Sequence, residues 1–236
     1  PYMARSPHYS LGRTLTRAEA IAGWCYLPFY LVLLSLGIQY IAALLGLQLS
    51  VMTINIIYFS VNVLFVLLVF RRFLLQRFFG SGFWNFVQTI ILGFVLYYAG
   101  TTVIRLLAEY FAGDFVIYNN ETVSGLVLSN RYVMLLVSVV LAPVVEETLV
   151  RGVVFGSIYP ASRVLAYIVS ILLFTLMHNW QYFGLHPFVS ILLSCLPYIP
   201  ASVALAWTYE KGGTIWAPIT LHAIINAMSF GLLTLS

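Results

Sequence analysis

The chain has 236 residues, of which 62% are hydrophobic and 8% charged. A soluble domain carries about 25% charged residues, so the composition excludes an ordinary soluble protein. The formal charge of +4 does not point to nucleic acid, because the basic residues lie at the ends of apolar segments, where they meet headgroups and set topology.

In lipid only helices and closed barrels satisfy every backbone group, and long unbroken apolar runs favour helices over barrel strands. The sequence therefore predicts an all-α polytopic transmembrane bundle of about seven spans. In chain order, Pro1 and Tyr2 precede Met3 and read as an added remnant. The first span covers 22–46 and the second 51–70. "RRFLLQRFFGSG", residues 71–82, is basic and amphipathic and is expected along the interface. The third span covers 84–107, and "AEYFAGDFVIYNNETVSGLVLSNR" then forms the longest polar interval. Spans four to seven follow at 131–157, 164–184, 188–208 and 213–234. The expected division is an N-terminal part, 1–130, and a four-span catalytic core, 131–236.

Arg5, Arg13, Arg17, Arg71, Arg72, Arg77, Arg163 and Lys211 fall on one side of these spans, and Arg105 and Arg131 on the other. That bias predicts a cytoplasmic N-terminus. Trp24, Trp84, Trp207 and Trp216 sit near inner boundaries and Trp180 near an outer one, as interfacial belts require. Cys25 and Cys195 both lie in apolar segments, so a structural disulfide is not expected.

Polar groups inside the spans carry the functional information. Glu19, Glu109, Asp114, Glu121 and Glu210 read as tail or loop residues, which leaves Glu146 and Glu147 as the acids within a span. His178 and His222 lie within spans five and seven. Each mid-helix charge costs about 2.5–3.5 kcal/mol on insertion scales, so "VLAPVVEETLVRGVVFG", with Glu146, Glu147 and Arg151, needs either internal pairing or a function. Glu147 and Arg151 are four residues apart and share a helix face. Glu146 is turned about 100° away from Glu147. At about 1.5 Å per residue, Glu146, His178 and His222 all fall near mid-membrane. Asn226, four residues after His222, shares its face. Pro143 deprives the Val139 carbonyl of its usual α-helical partner. Pro197 and Pro200 read as kinks, or as a way to open span six for a substrate.

Three motifs in order, "EETLVR", "FTLMH" (Phe174 to His178) and "HAIIN" (His222 to Asn226), resemble those of the CPBP family. These are the CAAX protease and bacteriocin-processing, or Abi, intramembrane endopeptidases. The resemblance covers roughly residues 131–236. It implies that Glu146 and His178 activate a water and that His222 and Asn226 stabilise the oxyanion. Glu147 and Arg151 would support the site, and Phe174 would pack against it. A carboxylate desolvated at that depth suits general-base work near neutral pH. Two histidines and a glutamate also make a zinc donor set, so a zinc site on Glu146, His178 and His222 stands as the alternative to a metal-free reaction. Other readings are a transporter or proton relay and an idle scaffold or immunity protein. The expected partners are a peptide or membrane-associated protein substrate and membrane lipid, with no nucleic acid. The expected location is a bacterial cytoplasmic membrane.

Overall fold

The computed structural model describes Leu11, residues 14–80 and residues 82–235, the last four by backbone alone. Arg5, His8 and Arg13 lie outside the described residues. Eight long helices follow one another: α1 (Arg17–Leu44), α2 (Val51–Val69), α3 (Phe83–Ala112), α4 (Tyr118–Ser129), α5 (Arg131–Ile158), α6 (Arg163–Tyr182), α7 (Phe188–Gly212) and α8 (Trp216–Leu235). Helices α1, α2, α3, α5, α6 and α7 are long and apolar enough to cross a membrane. The seventh expected span is α8, which carries His222 and packs against α3, α5 and α7. The protein is an integral membrane helical bundle.

Helix α5 is the axis of the bundle. Over half of its most apolar window is buried (56%), against at most 33% for the other five candidate spans. Val145, Leu149, Val153, Val154 and Phe155 join Val66, Phe70 and Phe73 in the main core. Helix α3 lies close against α7 and α8 because Gly93 leaves no Cβ to strike Thr208 and Leu221. The first three spans are thus packed onto the part of the chain that carries the motifs.

Residues 71–82 are not a continuous surface helix. One turn, Arg71–Leu74, is followed by bends in which Gly80 and Gly82 take positive φ, a conformation open to glycine. Phe73 is fully buried. The segment is tied to the loop before α8: Trp216 Nε1 donates to the Leu74 carbonyl (3.0 Å), Thr214 Oγ1 to Arg77 O (3.0 Å) and the Ile215 amide to Gln76 Oε1 (3.2 Å).

Glu210, expected in a loop, lies in the last turn of α7 and is buried. It accepts from Tyr159 (3.2 Å), Tyr167 (2.7 Å) and Arg163 (3.1 Å), which satisfies the carboxylate and clasps α6 to α7.

Helices α1, α5 and α7 depart from α geometry within their length, and α6 ends in a 3-10 turn, Trp180–Tyr182. Pro28 precedes a π stretch, Phe29–Leu33, in α1. Helix α5 is π over Leu136–Leu141, α over Ala142–Glu147 and π again over Thr148–Phe155. Single π turns of this kind recur at functional sites. Helix α7 breaks between Cys195 and Tyr198, at Pro197, as a helix-interior proline dictates.

Candidate active site

The π stretches place the α5 polar groups inside the bundle. Glu147 and Arg151 are both fully buried, and Glu146 is 7% exposed. Arg151 Nη1 donates to Glu147 Oε1 at 3.1 Å, so the expected i,i+4 pair forms. A buried guanidinium needs more partners than one carboxylate offers. Arg151 Nη2 donates to Ser202 Oγ (2.9 Å) and to the Ser202 carbonyl (3.1 Å) on α7. Its Cζ stands 4.5 Å from the Phe174 ring centroid, a cation–π contact. Phe174 therefore packs beneath the charge, with its ring edge-on to His222.

The same Glu147 oxygen accepts from His222 Nδ1 at 2.8 Å. Glu147 thus serves two helices, holding Arg151 on its own and His222 on α8. With Nδ1–H given to a carboxylate, His222 Nε2 carries a proton only in the imidazolium form. His178 is fixed in another way. Its Nδ1 lies 2.8 Å from the Phe174 carbonyl, which can only accept, so Nδ1 holds the hydrogen and Nε2 presents a lone pair. The His178 ring also stacks on Tyr198 at 4.5 Å.

Both Nε2 atoms face Glu146. Glu146 Oε2 stands 3.8 Å from His178 Nε2 and 3.9 Å from His222 Nε2. These separations exceed hydrogen-bond length. Glu146 Oε2 is buried and has no protein hydrogen-bond partner among the described residues. A buried acceptor in that condition marks where a water or a substrate group binds.

Ligands of one zinc ion at about 2.0 Å stand about 3.3 Å from each other. The Glu146–histidine separations are wider. No group of three His, Cys, Asp or Glu side chains among the described residues has metal-site spacing.

Asn226 Nδ2 donates to the Ser138 carbonyl at 2.7 Å. The reason lies in the π register. The Ala142 amide bonds to Val137 O, five residues back, so the partner due to Ser138 O is residue 143, a proline without an N–H. The carbonyl freed by Pro143 is therefore that of Ser138 rather than Val139, and Asn226 satisfies it with one of its two amide hydrogens.

The first two spans also reach the site. Tyr30, on the π stretch after Pro28, is buried and lines the same cavity as Glu146. Tyr58 Oη donates to the Tyr30 carbonyl. Asn62 Nδ2 donates to the Tyr58 carbonyl at 2.8 Å, and Tyr26 Oη donates to Asn62 Oδ1 at 2.9 Å. Tyr30, Tyr58, Tyr198 and Ser202 are not singled out by the sequence, since a lone hydroxyl in an apolar helix gives no distinctive signal. Asn62, a carboxamide buried within the apolar α2, is a signal in the sequence that points to this ladder.

Residues 128–228 match the family model of the type II CAAX prenyl endopeptidase Rce1-like proteins. This segment of the chain is similar to that family. The match includes Glu146, Glu147, Arg151, Phe174, His178, His222 and Asn226, and leaves Tyr30 and Tyr58 outside it. At the level of the family, this similarity supports a CAAX-type intramembrane endopeptidase acting on a protein or peptide at the membrane. No curated protein and no solved structure matched the chain.

Proposed function

We propose that the protein hydrolyses a peptide bond of a membrane-associated protein or peptide with a water held between Glu146 and His178, without a metal. The observation that carries this reading is the buried, unpartnered Glu146 Oε2 facing two histidine Nε2 atoms whose Nδ1 atoms are both held. Ionised Glu146 takes the water proton while the His178 Nε2 lone pair accepts from the other O–H and aims the oxygen. The water oxygen bonds to the peptide carbon and the carbonyl electrons move to oxygen. His222, as an imidazolium balanced by Glu147, donates Nε2–H to that oxyanion, and the second Asn226 amide hydrogen adds a donor. Collapse expels the amine, which takes the proton from Glu146.

This assignment also balances the buried charges. Arg151 and His222 carry two positive charges against two on Glu146 and Glu147. The test is cleavage of a quenched peptide library by purified protein, beside Glu146→Gln, with and without a strong chelator. Cleavage that survives the chelator and is lost in the variant supports the reading. Loss with chelator and recovery with zinc would overturn the metal-free assignment, and equal cleavage by the variant would overturn the role of Glu146.

A further inference from the structure

A cavity of about 710 Å³ lies in front of Glu146, His178 and His222. Small-molecule sites span about 300–1,000 Å³, so it takes in several residues of extended chain and not the reacting bond alone. Groups other than those at the reaction centre must hold the rest of that chain.

Buried polar atoms without a partner indicate which groups those are. Eight side-chain atoms among the described residues are buried and have no hydrogen-bond partner. Three of them belong to residues that line this cavity: Glu146 Oε2, Tyr198 Oη and Thr101 Oγ1. The first is the acceptor already assigned to the water. The other five, on Glu147, Arg151, Ser170, Thr175 and Thr208, belong to residues outside the lining.

Tyr198 is held beside the reaction centre. Pro197 breaks α7 immediately before it, and its ring stacks on His178 with centroids 4.5 Å apart and planes 29° from parallel. A phenol oxygen lies no further from its ring centre than about 3.3 Å, the rise of one extended residue. Tyr198 Oη is therefore within about 8 Å of the His178 ring centre, or two to three residues of extended peptide. Thr101 follows Gly100 on α3, and a Cβ on Gly100 would come within 2.8 Å of the Pro200 side chain. Helices α3 and α7 are thus pressed together close to both hydroxyl-bearing residues.

We infer that the Tyr198 and Thr101 hydroxyls bind the main chain of the substrate, Tyr198 within about three residues of the scissile bond. This rests on the peptidase reading above. A hydroxyl donates to a peptide carbonyl or accepts from a peptide N–H, so both contacts are indifferent to the side chains and charge of the substrate. A contact made equally in the bound substrate and in the transition state lowers KM and leaves kcat alone. Neither hydroxyl bonds within the protein, so removing one strands no buried group.

The probe is an N-acetylated octapeptide amide of Ala, Leu and Ser. Its binding is measured by calorimetry in detergent on Glu146→Gln, which prevents cutting, alone and with Tyr198→Phe, Thr101→Val or Thr208→Val added. Thr208 is the control, because its hydroxyl is also buried and unpartnered but lies outside the lining. Tyr198→Phe and Thr101→Val are each expected to weaken binding about two- to tenfold, the worth of one neutral hydrogen bond, with the thermal midpoint unchanged or raised. Thr208→Val is expected to leave affinity unchanged. Each hydroxyl stands or falls on its own variant. An equal loss in Thr208→Val, or no binding at millimolar peptide, would overturn both assignments. A lower thermal midpoint in Tyr198→Phe with unchanged affinity would overturn its assignment and give its hydroxyl to Asn119 of α4, which also lines the cavity. Turnover is scored separately with Glu146 intact, fragments being read by mass spectrometry. Weaker binding in the lining variants without any cut by wild type would support the contacts and count against the peptidase reading. Cutting with KM and kcat both unchanged in the two lining variants would do the reverse.

Discussion

His222 Nδ1 and Glu147 Oε1 stand 2.8 Å apart, although one belongs to α8 and the other to α5, 75 residues earlier. That contact makes Glu147 a positioning group as well as the counter-ion of Arg151. Replacing one partner of a buried ion pair costs about 3–5 kcal/mol, because the other charge is left uncompensated. Glu147→Gln is therefore expected to lower both the thermal midpoint in detergent and the turnover. Adding Arg151→Met removes the stranded charge and should recover most of the stability while turnover stays low, since His222 still lacks its carboxylate. Thermal unfolding and peptide cleavage on the three variants check this. Recovery of turnover with stability would reduce Glu147 to a structural role.

Tyr30 lies outside the family match, yet it lines the cavity beside Glu146. A hydrogen bond to a charged group contributes about 1.5–3 kcal/mol. Tyr30→Phe keeps the ring in the core and removes only the hydroxyl, the group that could donate to Glu146 when substrate is bound. The expected outcome is a fall in kcat of about tenfold or more with KM and thermal midpoint little changed. A change in KM alone would mean that Tyr30 contacts substrate rather than Glu146.

Legibility in the sequence followed the cost of each group. Glu146, Glu147, Arg151, His178 and His222 stand out because charge or imidazole inside an apolar span is expensive and rare, and the structure brings all five together. Asn226 is found by sharing a helix face with His222, but its Ser138 contact depends on a π register that a spacing of 3.6 residues does not contain. Tyr30, Tyr58 and Ser202 escape because a hydroxyl on a membrane helix is cheap when it bonds locally. Glu210 shows the opposite case. Helix α7 runs four residues past the expected boundary and buries an acid that reads as a loop residue.

Glu210 also supplies a control for depth. It accepts from two tyrosines and Arg163 at the end of the bundle where α6 begins and α7 ends, and lines no part of the cavity. Glu210→Gln should lower the thermal midpoint, because it weakens the Arg163 pair, while kcat for the remaining folded protein stays within about twofold of wild type, as expected for a site remote from the chemistry. A selective loss of kcat at unchanged stability would show that the Glu210 clasp is coupled to the site.

Asn226 and Pro143 are linked through a third residue, the carbonyl of Ser138, and that link separates structure from chemistry. Asn226→Ala leaves a carbonyl without its partner, at a cost of about 1–3 kcal/mol, and also removes the donor assigned to the oxyanion. Pro143→Ala restores an N–H at the position whose i−5 partner is Ser138 O. The double variant is therefore expected to regain much of the stability lost in Asn226→Ala while its kcat remains low. Thermal midpoints and kcat for the two single variants and the double variant decide the matter. Equal recovery of both quantities would mean that Asn226 acts only by holding α5, and the oxyanion would then depend on His222 alone. Recovery of neither would mean that the freed N–H does not reach Ser138, and the π register of α5 would have to owe its existence to something other than the missing amide of Pro143.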